Sequence, residues 1–188
     1  MIRRFLRLIP YMLLVFGACL IARPAYFYSK GVLAQILLER AWNKYRSSGD
    51  IHRAWSWSDT HPVGRLNIPS INLDQIVLSG THTEALAFGP GHWPESSQPG
   101  EIGTVAIAGH RDSYFRKLHK LDLGDVIQLD YRGGQQIFRV VQFIITSPDS
   151  FDLMQGSLAT RIALITCYPF DYLGPAPQRY IVLGELVE

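Results

Sequence analysis

From Val63 to the end of the chain, short apolar runs alternate with glycine and proline, and this pattern allows little but a β-rich fold. Arg65–Ile68 and Asn72–Leu78 alternate apolar and polar residues around Pro69-Ser70, which reads as a first hairpin. A short helix is expected near 81–87, capped by Thr81 or Thr83. The stretch 89–103 holds three prolines and four glycines and reads as a shaped loop. Further strands are expected near 103–109, 126–131, 135–146, 161–167 and 179–187, with Arg132-Gly133-Gly134 as the tight turn of a central hairpin. About seven strands in so short a segment imply an all-β, closed or nearly closed barrel.

The 188 residues, 47% of them hydrophobic, suffice for one such domain plus an anchor. The expected organisation is a signal-anchor or transmembrane segment at 1–25, a helical and tryptophan-containing linker at 26–60, and the β-barrel at 61–188. Arg3, Arg4 and Arg7 precede the uncharged run Leu8–Ala22, interrupted by Pro10 and Gly17. At 15 residues the run is short for a span of ~20, but its basic front favours an inside N-terminus and an exported C-terminus. The expectation is therefore a single-pass protein of the inner (cytoplasmic) membrane with its β-domain on the exported side. A cleaved or lipidated leader, with Phe16-Gly17-Ala18-Cys19 as a weak lipobox, and a buried helix are the alternatives. Residues 29–46 carry helical apolar spacing, with Ser29 placed to cap and Gly49 just beyond. Trp55 and Trp57 follow, suited either to lipid headgroups or to packing on the domain. The net charge of +2 is scattered apart from the N-terminal arginines, so no nucleic-acid partner is expected.

The chemistry concentrates at strand ends. Ala163-Leu164-Ile165-Thr166-Cys167-Tyr168-Pro169 places a thiol where proline must stop the ladder, and so at a barrel mouth. Thr104–Ala108 runs into Gly109-His110-Arg111, and Arg179 opens a later strand. A buried cysteine alone is more often a small hydrophobe. With an imidazole and a guanidinium at neighbouring strand ends, it reads instead as a nucleophile able to attack an amide carbonyl. Cys167 is accordingly the candidate nucleophile, His110 the general acid and base, and Arg179 the cation for an oxyanion or for substrate positioning. Thr166 is a candidate substrate contact through its hydroxyl or backbone. His92 in Gly91-His92-Trp93 is a second candidate substrate contact, against the alternative of a loop hydrogen bond. Arg111 reads as a solvated salt bridge. The other histidines, His52, His61, His82 and His119, lack zinc-site spacing, so neither metal nor cofactor is expected. A disulfide between Cys167 and Cys19 would join a strand end to the apolar leader and is not expected.

The segments Ala87–His92, Gly109-His110-Arg111-Asp112 and Thr166-Cys167-Tyr168-Pro169-Phe170 resemble the sortases, cysteine transpeptidases that attach proteins to bacterial surfaces, and among them those of proteobacteria. The order His, Cys, Arg and the spacings of 57 and 12 residues agree. Ala163, where many sortases carry Thr, departs from the pattern. The resemblance covers roughly residues 60–188 and implies an eight-stranded barrel. It also implies cleavage of a Leu-Pro-x-Thr-Gly-like sorting signal between Thr and Gly, a thioester on Cys167, and transfer to an amine. The implied partners are an exported protein carrying that C-terminal signal, an amine acceptor at the cell envelope, and the membrane. A hydrolytic cysteine endopeptidase on the same fold and a membrane-tethered β-domain that binds a partner are the rivals. A peptidoglycan L,D-transpeptidase would require Ser-x-Gly-Cys, which Leu164-Ile165-Thr166-Cys167 does not supply.

Overall fold

The structure is a computed structural model that describes residues 2–148 and 159–187. For residues 2–10, 15, 23–25, 27 and 28 it describes the backbone alone, so the side chains of Arg3, Arg4 and Arg7 lie outside it. Contacts divide the chain into two compact units, Met1–Leu37 and Leu38–Glu188.

A single helix, α1 (Ile2–Ser48), runs through the first unit and into the second. The helix expected to begin at Ser29 therefore has no separate start; the Ser29 hydroxyl instead donates to the Tyr26 carbonyl at 2.9 Å, one turn back. Among the described residues no helix is long and apolar enough to cross a membrane. In the second unit, the last turns of α1 bury Leu38 and Trp42 against Ile76, Leu78 and Ala85, with Trp55 and Phe88 at the margin. That apolar contact draws Leu38–Ser48 into the barrel unit. Trp55 stacks on Trp57 with ring centroids 5.4 Å apart and meets Phe88 at 4.5 Å, so it packs on the domain, whereas Trp57 remains 66% exposed.

Eight strands close a barrel: β1 (Pro62–Ile68), β2 (Leu73–Ser79), β3 (Gly91–His92), β4 (Thr104–Ala108), β5 (Val126–Tyr131), β6 (Gly134–Thr146), β7 (Arg161–Tyr168) and β8 (Gln178–Leu186). Their order around the wall is β1-β2-β3-β4-β7-β8-β6-β5. The hairpins read from the sequence are present. A 3₁₀ turn at Pro69–Ile71 joins β1 to β2, with Asn72 in the left-handed region at φ 49°, and Arg132-Gly133 joins β5 to β6. The strand missing from the periodicity is β3, whose two residues are too few to show one. It bridges β2 in parallel and β4 antiparallel, and a Cβ on Gly91 would run into the Gly80 carbonyl. The short helix α2 (Thr83–Phe88) starts at His82, which makes no capping bond through its side chain.

The interior holds Leu66, Ile68, Val105, Ile107, Leu129, Phe138, Ile162, Leu164 and Val182. Successive strand residues face opposite sides. Ala106, Ala163, Ile165, Ile181 and Leu183 therefore form a second buried cluster on the outside of the β4/β7/β8 wall, bordered by Trp93 and Ile144. This two-sided burial explains why Ile162–Ile165 is a continuous apolar run. Leu164, fully buried in the interior, should on replacement by Ala cost about 2–5 kcal/mol. Val141→Ala, at a residue 41% exposed, should cost under about 1 kcal/mol. Chemical denaturation of the two variants measures the difference, and equal losses would contradict the placement of the core.

Candidate active site

The 57-residue spacing between His110 and Cys167 is a register. Strands β4 and β7 pair in parallel with Thr104 opposite Arg161 and so on to Ala108 opposite Ile165, every pair offset by 57. Past the end of β4, the Gly109 N–H donates to the Ile165 carbonyl at 3.0 Å and continues the ladder. On the other flank, the antiparallel pairing of β7 with β8 sets Cys167 opposite Arg179. One two-residue step beyond Ala108, Ile165 and Ile181 therefore lie His110, Cys167 and Arg179. All three line one cleft of about 370 Å³, together with Thr166, Gly109, Ala108, Ile165, Thr81, Leu86, Trp93 and Pro148.

Alternation also fixes the face. Cys167 shares its parity with Ala163 and Ile165 of the outer cluster, whereas Ile162 and Leu164 point inward. The thiol thus stands on the outer side of the barrel wall rather than in its mouth. On the inward side Phe143, Phe170 and Tyr180 pack against the core, and Tyr168 stacks on Tyr180 at 6.2 Å between ring centroids. This aromatic layer backs the strand end that carries the thiol.

Cys167 and Arg179 are half-buried and His110 is exposed. Both cysteines are free thiols. Nη1 of Arg179 donates to the carbonyls of Ala176 at 3.3 Å and Gln178 at 3.0 Å. Among the described residues no carboxylate pairs with it, so its remaining N–H groups can take an anionic oxygen. The His110 carbonyl accepts from the N–H of Phe115 at 3.1 Å and of Ser113 at 3.3 Å, closing a turn. That turn brings the Phe115 ring onto Gly109, where a Cβ would stand 2.7 Å from it. Glycine precedes the histidine because no side chain fits there.

Thr166 lines the cleft, but its hydroxyl, in a residue only 2% exposed, donates to the Gly109 carbonyl at 2.7 Å. It ties the two strand ends together. His92 does not line the cleft. It lies in β3, 2% exposed, with Nε2 donating to the Ser97 carbonyl at 2.9 Å and standing 3.2 Å from the Ser96 hydroxyl. The geometry is that of the loop hydrogen bond, and the neighbouring Trp93 supplies the cleft wall. Trp93, Leu86 and Pro148 were not among the sequence candidates, because an apolar wall residue carries no chemical signature of its own.

Arg111 corrects the sequence reading. Instead of a solvated pair it is 7% exposed, bidentate to Asp112 through Nε–Oδ1 at 2.9 Å and Nη2–Oδ2 at 3.1 Å. Its Nη1 donates to the Pro169 carbonyl at 2.7 Å. The bond from Arg111, with the charges of Arg111 and His110 behind it, holds the Asp112 carboxyl below its ordinary range. Among the described residues no three His, Cys, Asp or Glu side chains are grouped to hold a metal.

A thiol, an imidazole and a guanidinium around one open cleft can carry out nucleophilic attack on a carbonyl, proton transfer to a leaving group and stabilisation of an oxyanion. A family model described as Sortase domain matches residues 66–187. Sortase D of Bacillus subtilis is 36% identical over 125 residues, covering 66% of this chain and 63% of that protein. Sortase A of Bacillus anthracis is 30% identical over 129 residues, covering 66% and 60%. The chain thus spans under two thirds of the length of these relatives. Among solved structures, a Clostridium perfringens sortase D5 transpeptidase shares the fold at a TM-score of 0.70 and 23% identity, covering 84% of this chain and 99% of that one. Sortase C-1 of Actinomyces oris matches at 0.61 and 30% identity, covering 68% and 75%. The family match spans well over half of the chain and includes every residue that lines the cleft of His110, Cys167 and Arg179, so the chain belongs to the sortase family.

Proposed function

We propose that this chain is a sortase-type cysteine transpeptidase acting on a Leu-Pro-x-Thr-Gly-like sorting signal. The observation that carries this reading is the common cleft of Cys167, His110 and Arg179, set by two strand registers. The Cys167 thiolate attacks the carbonyl carbon of the scissile Thr–Gly bond. Arg179 donates hydrogen bonds to the oxyanion of the tetrahedral intermediate, and imidazolium His110 gives its proton to the departing glycine amine. The acyl group remains as a thioester on Cys167. An incoming amine attacks that thioester, neutral His110 takes the amine proton, and collapse of the second intermediate releases an amide and regenerates the thiolate. Trp93, Leu86 and Pro148 place apolar surface beside the sulfur, which limits competition from water.

The substrate in this reading is an exported protein carrying the signal near its C-terminus, and the acceptor is an amine of the cell envelope. The basic, then apolar N-terminal segment supports an anchor in the inner membrane with the barrel exported, and the motifs around His92, His110 and Cys167 support an affinity with the proteobacterial sortases. If the anchor holds, fractionation of cells leaves the full-length chain with membranes and accessible to protease from the outer side; a soluble, shortened chain would contradict it.

Transpeptidation is separated from hydrolysis by adding primary amines, including glycine and diaminopimelate-type nucleophiles, to enzyme and peptide. Product should shift from free acid to amide; steady hydrolysis with no amide would make the chain a cysteine endopeptidase. Arg179→Lys keeps the charge but loses the planar fork, so the cleavage rate should fall by roughly 10² or more. A lysine variant within a few-fold of wild type would leave Arg179 only a diffuse electrostatic role.

A further inference from the structure

His110 and Cys167 lie on separate segments, and each residue flanking His110 is bonded to the segment that bears the thiol. On one side the Thr166 hydroxyl donates to the Gly109 carbonyl at 2.7 Å. On the other, Nη1 of Arg111 donates to the Pro169 carbonyl at 2.7 Å. The first bond reaches the residue just before Cys167, the second Pro169, two residues after it. His110 is thereby bracketed against the nucleophile. The second bracket spans 58 residues of sequence and bridges chain that has left the β4/β7 ladder, where no backbone register remains to hold the two turns together.

We propose that Arg111 is a positioning residue of this site, holding the turn after Cys167 against the turn after His110 so that imidazole and sulfur meet in one geometry. The proposal rests on the transpeptidase reading above and adds a residue to it. The fork of guanidinium donors is what the position requires: Nε and Nη2 are fixed by Asp112, which aims Nη1 at Pro169. A lysine has one nitrogen and cannot hold that aim. The cation is 7% exposed, while Asp112 faces solvent at 76%, so the carboxylate orients the arginine from outside. Asp112 foremost, and Cys167 and Asp171 further, stabilise its charged form, which places the positive charge within electrostatic reach of the thiolate as well.

The test uses the full chain with Arg111→Met, Arg111→Lys and Asp112→Ala. Two rates are followed: alkylation of Cys167 by iodoacetamide, mapped by peptide mass so that Cys19 is counted separately, and steady-state cleavage of a Leu-Pro-x-Thr-Gly peptide. Arg111→Met should lower both alkylation and kcat by tenfold or more with KM changed less than twofold, and far-UV circular dichroism should remain that of the barrel. Arg111→Lys should recover alkylation at least in part, since the charge returns, but not kcat, since the aim is lost. Asp112→Ala should lower kcat several-fold. Alkylation does not depend on the peptide, so a wild-type chain that fails to cleave it would overturn the transpeptidase reading while leaving the positioning role measurable. Rates within twofold of wild type for Arg111→Met would overturn the proposal. So would an unfolded Arg111→Met alongside wild-type rates for Arg111→Lys and Asp112→Ala, because Arg111 would then serve the fold alone.

Discussion

The parallel pairing of β4 with β7 is the constraint on which the rest of the site depends. Parallel strands cannot be joined by a tight turn, so the chain must travel through β5 and β6 before β7 returns beside β4. The pairing offset of 57 residues is fixed by burial on both faces, with Val105, Ile107, Ile162 and Leu164 inside and Ala106, Ala163 and Ile165 outside. A slip of one residue would exchange these sets and carry Cys167 to the inner side of the wall. The register that keeps the core intact is therefore the register that puts an imidazole near a thiol.

The hairpin of β7 and β8 completes the constellation by a different route. Antiparallel pairing places Cys167 and Arg179 directly opposite, and the loop between them supplies the carbonyls of Ala176 and Gln178 that steady the guanidinium. Backbone hydrogen bonds thus set two of the three relationships in the site. The third, between the turns that follow His110 and Cys167, falls outside any ladder and is left to a side chain, that of Arg111.

Much of the fold was legible because strand alternation and turn residues are local signals. The β1/β2 hairpin, the Arg132-Gly133 turn and the long β6 follow from spacing and from glycine or proline alone. What escaped was non-local or too short. β3 has two residues, and the packing of Trp42 on Ile76 and Leu78 joins segments far apart in sequence. Cys167, His110 and Arg179 were found as a set because their chemistry is distinctive at strand ends, although their shared position on the outer wall required the register. Arg111 was misread because sequence shows its neighbour Asp112 but not Pro169, 58 residues away. A salt bridge between adjacent residues is ordinarily a surface feature, and here burial makes it a strut.

The central claim is that this register builds a nucleophilic cysteine, and a trapped intermediate tests it most directly. Enzyme is mixed with a Leu-Pro-x-Thr-Gly peptide without an amine acceptor, quenched in acid within the first turnover, and read by intact mass and peptide mapping. The account predicts a mass gain equal to the acyl fragment ending in threonine, carried as a thioester on Cys167. Peptide cleavage without any adduct on Cys167 would contradict it.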